Sequence, residues 1–288
     1  MATCKVCFRH CEIQEGKRGI CGARICRDGK VVSENYGRVT SLALDPIEKK
    51  PLNRFFPGSR IVSVGSYGCN LRCPFCQNHE ISWGEEVSLF QNGESIRQME
   101  PEDLLSVAQA YRDQGNIGLA FTYNEPLVGY EFIRDTARLI HDAGMKNVLV
   151  SNATASLEVL SEILPFFDAM NIDLKSLSEE TYHNTLGGDL SMVKEFISEA
   201  VKYCHVELTT LIVPGLNDTR EEMREIASWI SERKDKEGNT IGGSIPLHVS
   251  RFFPRFHMQD REATKVADVY ELADIAREKL RFVYTGNC

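Results

Sequence analysis

The sequence predicts an α/β protein. A partial (β/α)6 barrel is expected over residues 61–288, preceded by a small Cys-rich, β-hairpin-containing domain over residues 1–60. Three observations carry this. From Ile61 on, β-prone runs alternate with amphipathic helical patterns six times, which gives a parallel sheet that right-handed crossovers curl toward a barrel. Residues 1 to about 30 hold four cysteines spaced C-x2-C-x3-C-x9-C in a segment too short and polar to bury much core. Between these regions, Asp45-Pro46-Ile47-Glu48-Lys49-Lys50-Pro51-Leu52 and Phe55-Phe56-Pro57-Gly58 form a proline-punctuated linker, which places a boundary near residue 60.

In order, residues 31–45 read as a hairpin turning near Tyr36-Gly37. The first barrel strand is expected at 61–66. A helix at 101–114 starts on Pro101, a favoured first-turn residue, and stops at Gly115. A strand at 117–122 is followed by a helix at 127–143 that ends at Gly144. The strand at 147–151 leads to a helix capped by Ser156, and the strand at 169–174 to further helix. The next helix, near 191–203, carries Val193, Phe196, Ile197, Ala200 and Val201 on one face. A strand at 205–213 precedes a helix for which Asp218 and Glu221 suggest a capping box. A strand at 244–250, a helix at 265–280 and a short strand at 282–284 complete the pattern.

The 288 residues are 42% hydrophobic and 26% charged, an ordinary composition for a soluble globule. No apolar run approaches the roughly 18 residues of a membrane span, and the amino-terminal residues lack a signal peptide's apolar stretch. A cytoplasmic location with no membrane partner is expected. The formal charge of −8 argues against nucleic acid as a general partner, since phosphate neutralisation needs a basic footprint.

Ten cysteines in such a chain read as metal ligands before disulfides. Cys69, Cys73 and Cys76 lie on one loop with spacing C-x3-C-x2-C. They can hold three irons of a [4Fe–4S] cluster and leave the fourth open. Electron-carrying clusters normally have four cysteines and structural zinc closes at four ligands, so an open iron suggests chemistry there. The alternative is a zinc site completed by a distant residue such as His79. Cys4, Cys7, Cys11 and Cys21 fit structural zinc or a second iron–sulfur cluster, with His10 able to replace one thiolate, or they are free thiols.

In (β/α) barrels, chemistry sits at the carboxyl ends of the strands. Those ends carry Thr122-Tyr123-Asn124-Glu125, Ser151-Asn152, Asp173-Leu174-Lys175, Glu207 with Thr209 and Thr210, and His248-Val249-Ser250-Arg251. Asp173 and Lys175 share a face of their strand, and a buried charge pair seldom persists for stability alone. Ser151 and Asn217 could instead be caps or turn formers. Arg251, Arg255, His257, Glu207 and Thr209 are substrate-facing candidates, and Arg251, Arg255 and Arg261 would favour an anionic substrate or a peptide backbone.

Taken together, these motifs resemble a known family. Gly68-Cys69-Asn70-Leu71-Arg72-Cys73-Pro74-Phe75-Cys76-Gln77-Asn78, with Phe75 before the third cysteine, resembles the signature of the radical S-adenosylmethionine (SAM) superfamily, in its pyruvate formate-lyase-activating-enzyme-like branch. More narrowly, the cysteine module, residues 45–52, Thr122–Pro126, His248–Pro254 and Tyr284–Asn287 are similar to the radical SAM member of the AmmeMemoRadiSam system. The resemblance implies a radical SAM barrel in which Cys69, Cys73 and Cys76 bind the cluster and SAM chelates the open iron. An electron then splits SAM to a 5′-deoxyadenosyl radical that abstracts hydrogen. It implies that Phe75 touches adenine, that Asn124 and Glu125 meet the SAM amino group, and that Ser151 and Asn152 face its ribose and carboxylate. Asp173 and Lys175 lie beside SAM and His248 near the ribose. Tyr123 and Ala153 stand where glycine is usual.

Two catalytic readings follow: activation of a partner protein by a glycyl radical, or radical modification of a small molecule or another macromolecule. A flavodoxin or ferredoxin is the expected reductant. A non-catalytic metal-binding interaction protein is the reading from a different class.

Overall fold

The computed structural model describes residues 1–83, 87–93 and 95–288. At the amino terminus β1 (Ala2–Thr3) and β2 (Glu12–Ile13) pair antiparallel, followed by the hairpin β3 (Arg24–Arg27) and β4 (Lys30–Ser33). This hairpin turns at Asp28-Gly29, not near Tyr36-Gly37. Both turn residues have positive φ (51° and 70°), and Asp-Gly is a favoured pair for a two-residue turn that matches strand twist. The expected 31–45 hairpin is therefore three separate pairings, of β4 with β3, of residues 38–39 with a later strand, and of residues 41–46 with the first barrel strand. β5 (Arg38–Val39) leads directly into β6 (Ser41–Pro46), and β6 pairs antiparallel with β7 (Arg60–Gly65).

After α1 (His79–Ser82) and α2 (Val87–Gln91), the short β8 (Arg97–Gln98) returns to β5. The alternation then runs α3 (Pro101–Ala110), β9 (Asn116–Phe121), α4 (Tyr130–Asp142), β10 (Lys146–Ser151), α5 (Leu157–Ile163), β11 (Ala169–Asp173) and α6 (Leu190–Ala200). It finishes with β12 (His205–Ile212), α7 (Arg220–Ser231), β13 (Leu247–Arg251), α8 (Val266–Arg277) and β14 (Val283–Gly286). The main sheet has the order β14-β13-β12-β11-β10-β9-β7-β6, parallel throughout except for β6. This is the partial barrel that the alternation predicts, widened by one antiparallel strand. Among the described residues no helix is long and apolar enough to cross a membrane.

Local chemistry accounts for the helix ends. Asp103 accepts the Glu100 amide at 2.8 Å in a capping box ahead of Pro101, and Ser156 caps α5. For α7 the cap is Thr219, which accepts the Glu222 amide at 3.2 Å, and not Asp218. The cap thus falls one residue later than the expected Asp218–Glu221 box, and the Glu222 side chain, which would close a box on Thr219, accepts instead from Ser176 and the Leu177 amide. α6 buries Leu190, Val193, Phe196, Ile197 and Ala200, the apolar face seen in the sequence.

The linker after β6 is not a free connection. Ile47 and Leu52 are fully buried against Ile61 of β7, Ala120 of β9, Val148 of β10 and Ala169 of β11. Asn171 donates to the Pro51 carbonyl at 2.9 Å, and the Asn53 and Arg54 amides donate to the Glu207 carboxylate at 3.0 and 2.7 Å. Residues 47–54 thus cross the inner face of the sheet and close it from below.

Candidate functional site

A cavity of about 610 Å³ opens at the carboxyl ends of the strands. Cys69, Cys73, Phe75 and Cys76 line one side, from the loop after β7. Asn124 and Glu125 follow β9, Ser151 and Asn152 end β10, Asp173 and Lys175 end β11, and His248 lies on β13. Glu48, Lys49, Pro51 and Asn53 of the linker complete the lining. These residues, with Thr209 of β12, therefore meet at one place, whereas Arg251, Glu207, Arg255 and His257 do not.

Arg251 does not reach the cavity. β13 alternates, so His248 and Ser250 face inward while Val249 and Arg251 face away. The Arg251 Nε donates to the Thr264 carbonyl at 2.7 Å, and its guanidinium covers Phe253. Glu207 is also off the cavity wall. It is fully buried and accepts from the Asn53 and Arg54 amides, with His205 and His248 ring nitrogens at 2.9 and 2.7 Å. These bonds outweigh the burial that would raise its pKa and hold it down at about 2. Glu207 is thus a clamp that fixes the linker and orients His248. Arg255 and His257 lie outside the wall as well, and the His257 amide donates to the Pro74 carbonyl at 2.9 Å. Arg261 donates to the Pro214 carbonyl, and His79 stacks on Phe256 with ring centres 4.2 Å apart.

Glu125 is the most constrained acid. Its carboxylate accepts from the Leu127 amide (3.0 Å), the Ser151 hydroxyl (2.8 Å) and the Asn152 amide (2.8 Å), tying the β9 loop to the end of β10. A carboxylate offers about four acceptor positions, so one remains for a ligand donor. Burial pushes its pKa up to about 7 against those hydrogen bonds. Asn124 is used similarly: its Oδ1 accepts the Ser66 amide at 3.1 Å and its Nδ2 donates to the Gly68 carbonyl at 3.1 Å. Asn152 donates to Asn70 Oδ1 at 3.1 Å and points the same nitrogen at Cys69 Sγ, 3.7 Å away. Asp173 Oδ2 and Lys175 Nζ stand 2.7 Å apart. Burial alone would lower the Lys175 pKa, but the charges of Asp173 and Cys73 raise it, so the ammonium stays protonated.

The structure also explains two residues that the sequence left open. Tyr123 adopts φ +76° and Ala153 φ +57°, both in the left-handed region where glycine is easier. Gly65 makes room for Tyr123, since a Cβ there would lie 2.8 Å from Tyr123 Cδ2. The Tyr123 hydroxyl donates to Asp45 at 2.9 Å, and the buried Lys50 ammonium sits 3.0 Å from the same carboxylate and over the Tyr123 ring. The Asp45–Leu52 motif is thereby anchored to the loop after β9. Sequence reasoning treated this segment as a linker; its dense charge was the available signal.

The donor set fits an iron–sulfur cluster. Three cysteines of one loop open onto a shared cavity, and an amide N–H is directed at one of the sulfurs. All three thiols have pKa values raised, chiefly by burial, so metal loading must displace their protons.

Comparison with known proteins agrees with this geometry. The radical SAM superfamily matches residues 63–230, more than half of the chain. An uncharacterised protein of Methanocaldococcus jannaschii is 38% identical over 286 residues, covering 99% of this chain and 80% of that protein. The pyruvate formate-lyase-activating enzyme of Clostridium pasteurianum is 26% identical over 197 residues, covering 67% of this chain and 76% of the enzyme. Among solved structures, SuiB of Streptococcus suis superposes with a TM-score of 0.57 at 15% identity, over 78% of this chain and 48% of SuiB. QueE of Escherichia coli superposes with a TM-score of 0.51 at 14% identity, over 86% and 92% of the two chains. The chain belongs to the radical SAM superfamily and resembles, within it, the pyruvate formate-lyase-activating enzymes.

Proposed function

We propose that this protein reductively cleaves SAM at a [4Fe–4S] cluster held by Cys69, Cys73 and Cys76, and uses the product for hydrogen abstraction. Membership of the superfamily implies the cluster and SAM. The observation that carries the reading is the convergence of a three-cysteine loop and four polar strand ends on one cavity. When bound, the cluster and SAM together supply an electron to the sulfonium and a 5′-deoxyadenosyl radical.

The chain's own residues bind, orient and shield. Glu125 keeps one acceptor position for the SAM amino group, next to the acceptor face of Asn124. Ser151 and Asn152, locked by Glu125, present the end of β10 to the ribose and carboxylate. His248, steered by Glu207, would face the ribose of a bound SAM, and Phe75 would contact its adenine. Asp173 and Lys175 provide a fixed charge pair beside the cofactor, while buried Leu71, Cys73 and Phe75 keep water from the reacting atoms. A flavodoxin or ferredoxin supplies the electron.

The substrate is a glycine in a partner protein on the preferred reading, supported by likeness to the pyruvate formate-lyase-activating enzymes. Radical modification of a small molecule or another macromolecule is the second reading. It is supported by 24% identity over 223 residues to the 7-carboxy-7-deazaguanine synthase of M. jannaschii.

Anaerobic reconstitution followed by dithionite should yield 5′-deoxyadenosine, detected by chromatography. A colourless protein that binds only zinc and leaves SAM intact would refute the proposal. The two substrate readings separate by deuterium: label in a partner glycine should appear in 5′-deoxyadenosine on the first reading only.

A further inference from the structure

We infer that Cys4, Cys7, Cys11 and Cys21 hold a second [4Fe–4S] cluster, placed where an electron enters on its way to the first. All four cysteines line one void, whose remaining wall includes Val6, Ile13 and Val128. A structural zinc ion draws its thiolates in to about 2.3 Å around one point. A cubane instead holds its cysteines apart on separate irons. The four cysteines line a void of about 10 Å³, room that four thiolates closed to that distance on one zinc would not leave.

A second observation concerns the wall of the same void. Arg24 forms part of its wall and is only 5% exposed, yet its Nε finds no hydrogen-bond partner. A buried donor without an acceptor calls for one, and a cluster sulfur in the void supplies it. The Arg24 guanidinium is paired with Glu131 at 2.6 Å, which fixes the side chain in this wall.

The two cysteine sets are in direct contact. The Cys69 amide donates to the Cys21 carbonyl at 3.2 Å. Asn70 lines the void and is bonded to Asn152, whose amide approaches Cys69 Sγ. Gly68 permits this closeness: a Cβ there would lie 2.7 Å from the Cys21 carbonyl oxygen. The charge of this segment suits an acidic donor. Residues 1–30 carry seven Lys and Arg against three Asp and Glu, in a chain of net charge −8, and Lys5, Lys17, Arg27 and Lys30 are exposed. An acidic one-electron carrier protein docking there loses one electron and reduces the amino-terminal cluster by one. That cluster passes the electron to its neighbour, with no bond made and no proton moved. Only this relay rests on the reading of Cys69, Cys73 and Cys76 as a cluster site; the second cluster does not.

The test uses the full chain carrying Cys69→Ala, Cys73→Ala and Cys76→Ala together, reconstituted anaerobically. Wild type should hold about eight irons and the variant about four, with the Mössbauer spectrum of a [4Fe–4S] cluster. One zinc and no iron in the variant, or no metal, overturns the second cluster. If the triple variant does not fold, Cys4→Ala/Cys7→Ala reads the count from the other side: a loss of about four irons supports the inference, and a loss of zinc alone overturns it. Reduced flavodoxin should still reduce the cluster left in the triple variant, seen by electron paramagnetic resonance. Failure to reduce it overturns the relay.

Discussion

Replacing Glu207 with glutamine removes a buried charge that joins three parts of the protein: the Asn53–Arg54 amides, His205 and His248. Its carboxyl titrates near 2 in the folded chain against an ordinary 4.5. At 1.36 kcal/mol per pH unit, that gap corresponds to about 3 kcal/mol of stability. The lowered value fixes the sign: the contribution is complete above pH 4.5 and disappears as the pH falls toward 2. By pH 3.5 about 1.4 kcal/mol of it should already be lost. Glutamine keeps one acceptor oxygen, so Glu207→Gln should cost about 2–3 kcal/mol at pH 7, lowering the melting temperature by roughly 5–10 °C. Urea unfolding of the metal-free protein at pH 7 and pH 3.5 measures both quantities. The wild-type advantage should shrink at the lower pH. An advantage that is equal at both, or below about 0.5 kcal/mol at pH 7, means that Glu207 is not the clamp described.

Lys50→Met should cost about 3–5 kcal/mol by leaving the Asp45 carboxylate buried with one cation fewer, and adding Asp45→Asn should recover part of the loss in a double-mutant cycle. Gly68→Ala places a Cβ against the Cys21 carbonyl at a backbone φ of +97°. It should cost about 1–3 kcal/mol and lower the iron content at both cysteine sets, as metal analysis would show. Burial holds Glu125 at about 7 in the empty site, and it can accept from the iron-bound amine of SAM only as the carboxylate. SAM binding should therefore release protons and weaken about fivefold from pH 7 to pH 6, measured by calorimetry in buffers of different ionisation enthalpy.

What the sequence made legible was local. Cys69, Cys73, Cys76 and Phe75 lie within eight positions, and each strand-end group sits where its strand stops, so period and spacing placed them before any contact was known. Glu207 was misread because its partners, Asn53 and Arg54, are 154 and 153 positions away and belong to a segment without periodicity. The position of Arg251 could have been read correctly: strand alternation puts His248 inside and Arg251 outside, and only the appeal of a charge near the site hid it. The hairpin was misplaced because Asp28-Gly29, a stronger turn signal than Tyr36-Gly37, fell inside the cysteine module, where metal ligation dominated the reading.

The central claim is that the iron without a cysteine takes SAM. Electron–nuclear double resonance on the reduced protein, with SAM carrying ¹⁵N in its amino group, addresses it directly. The account predicts a resolved ¹⁵N coupling that vanishes in Cys73→Ala together with the cluster signal. A cluster spectrum unchanged by SAM, with no ¹⁵N coupling, would contradict it.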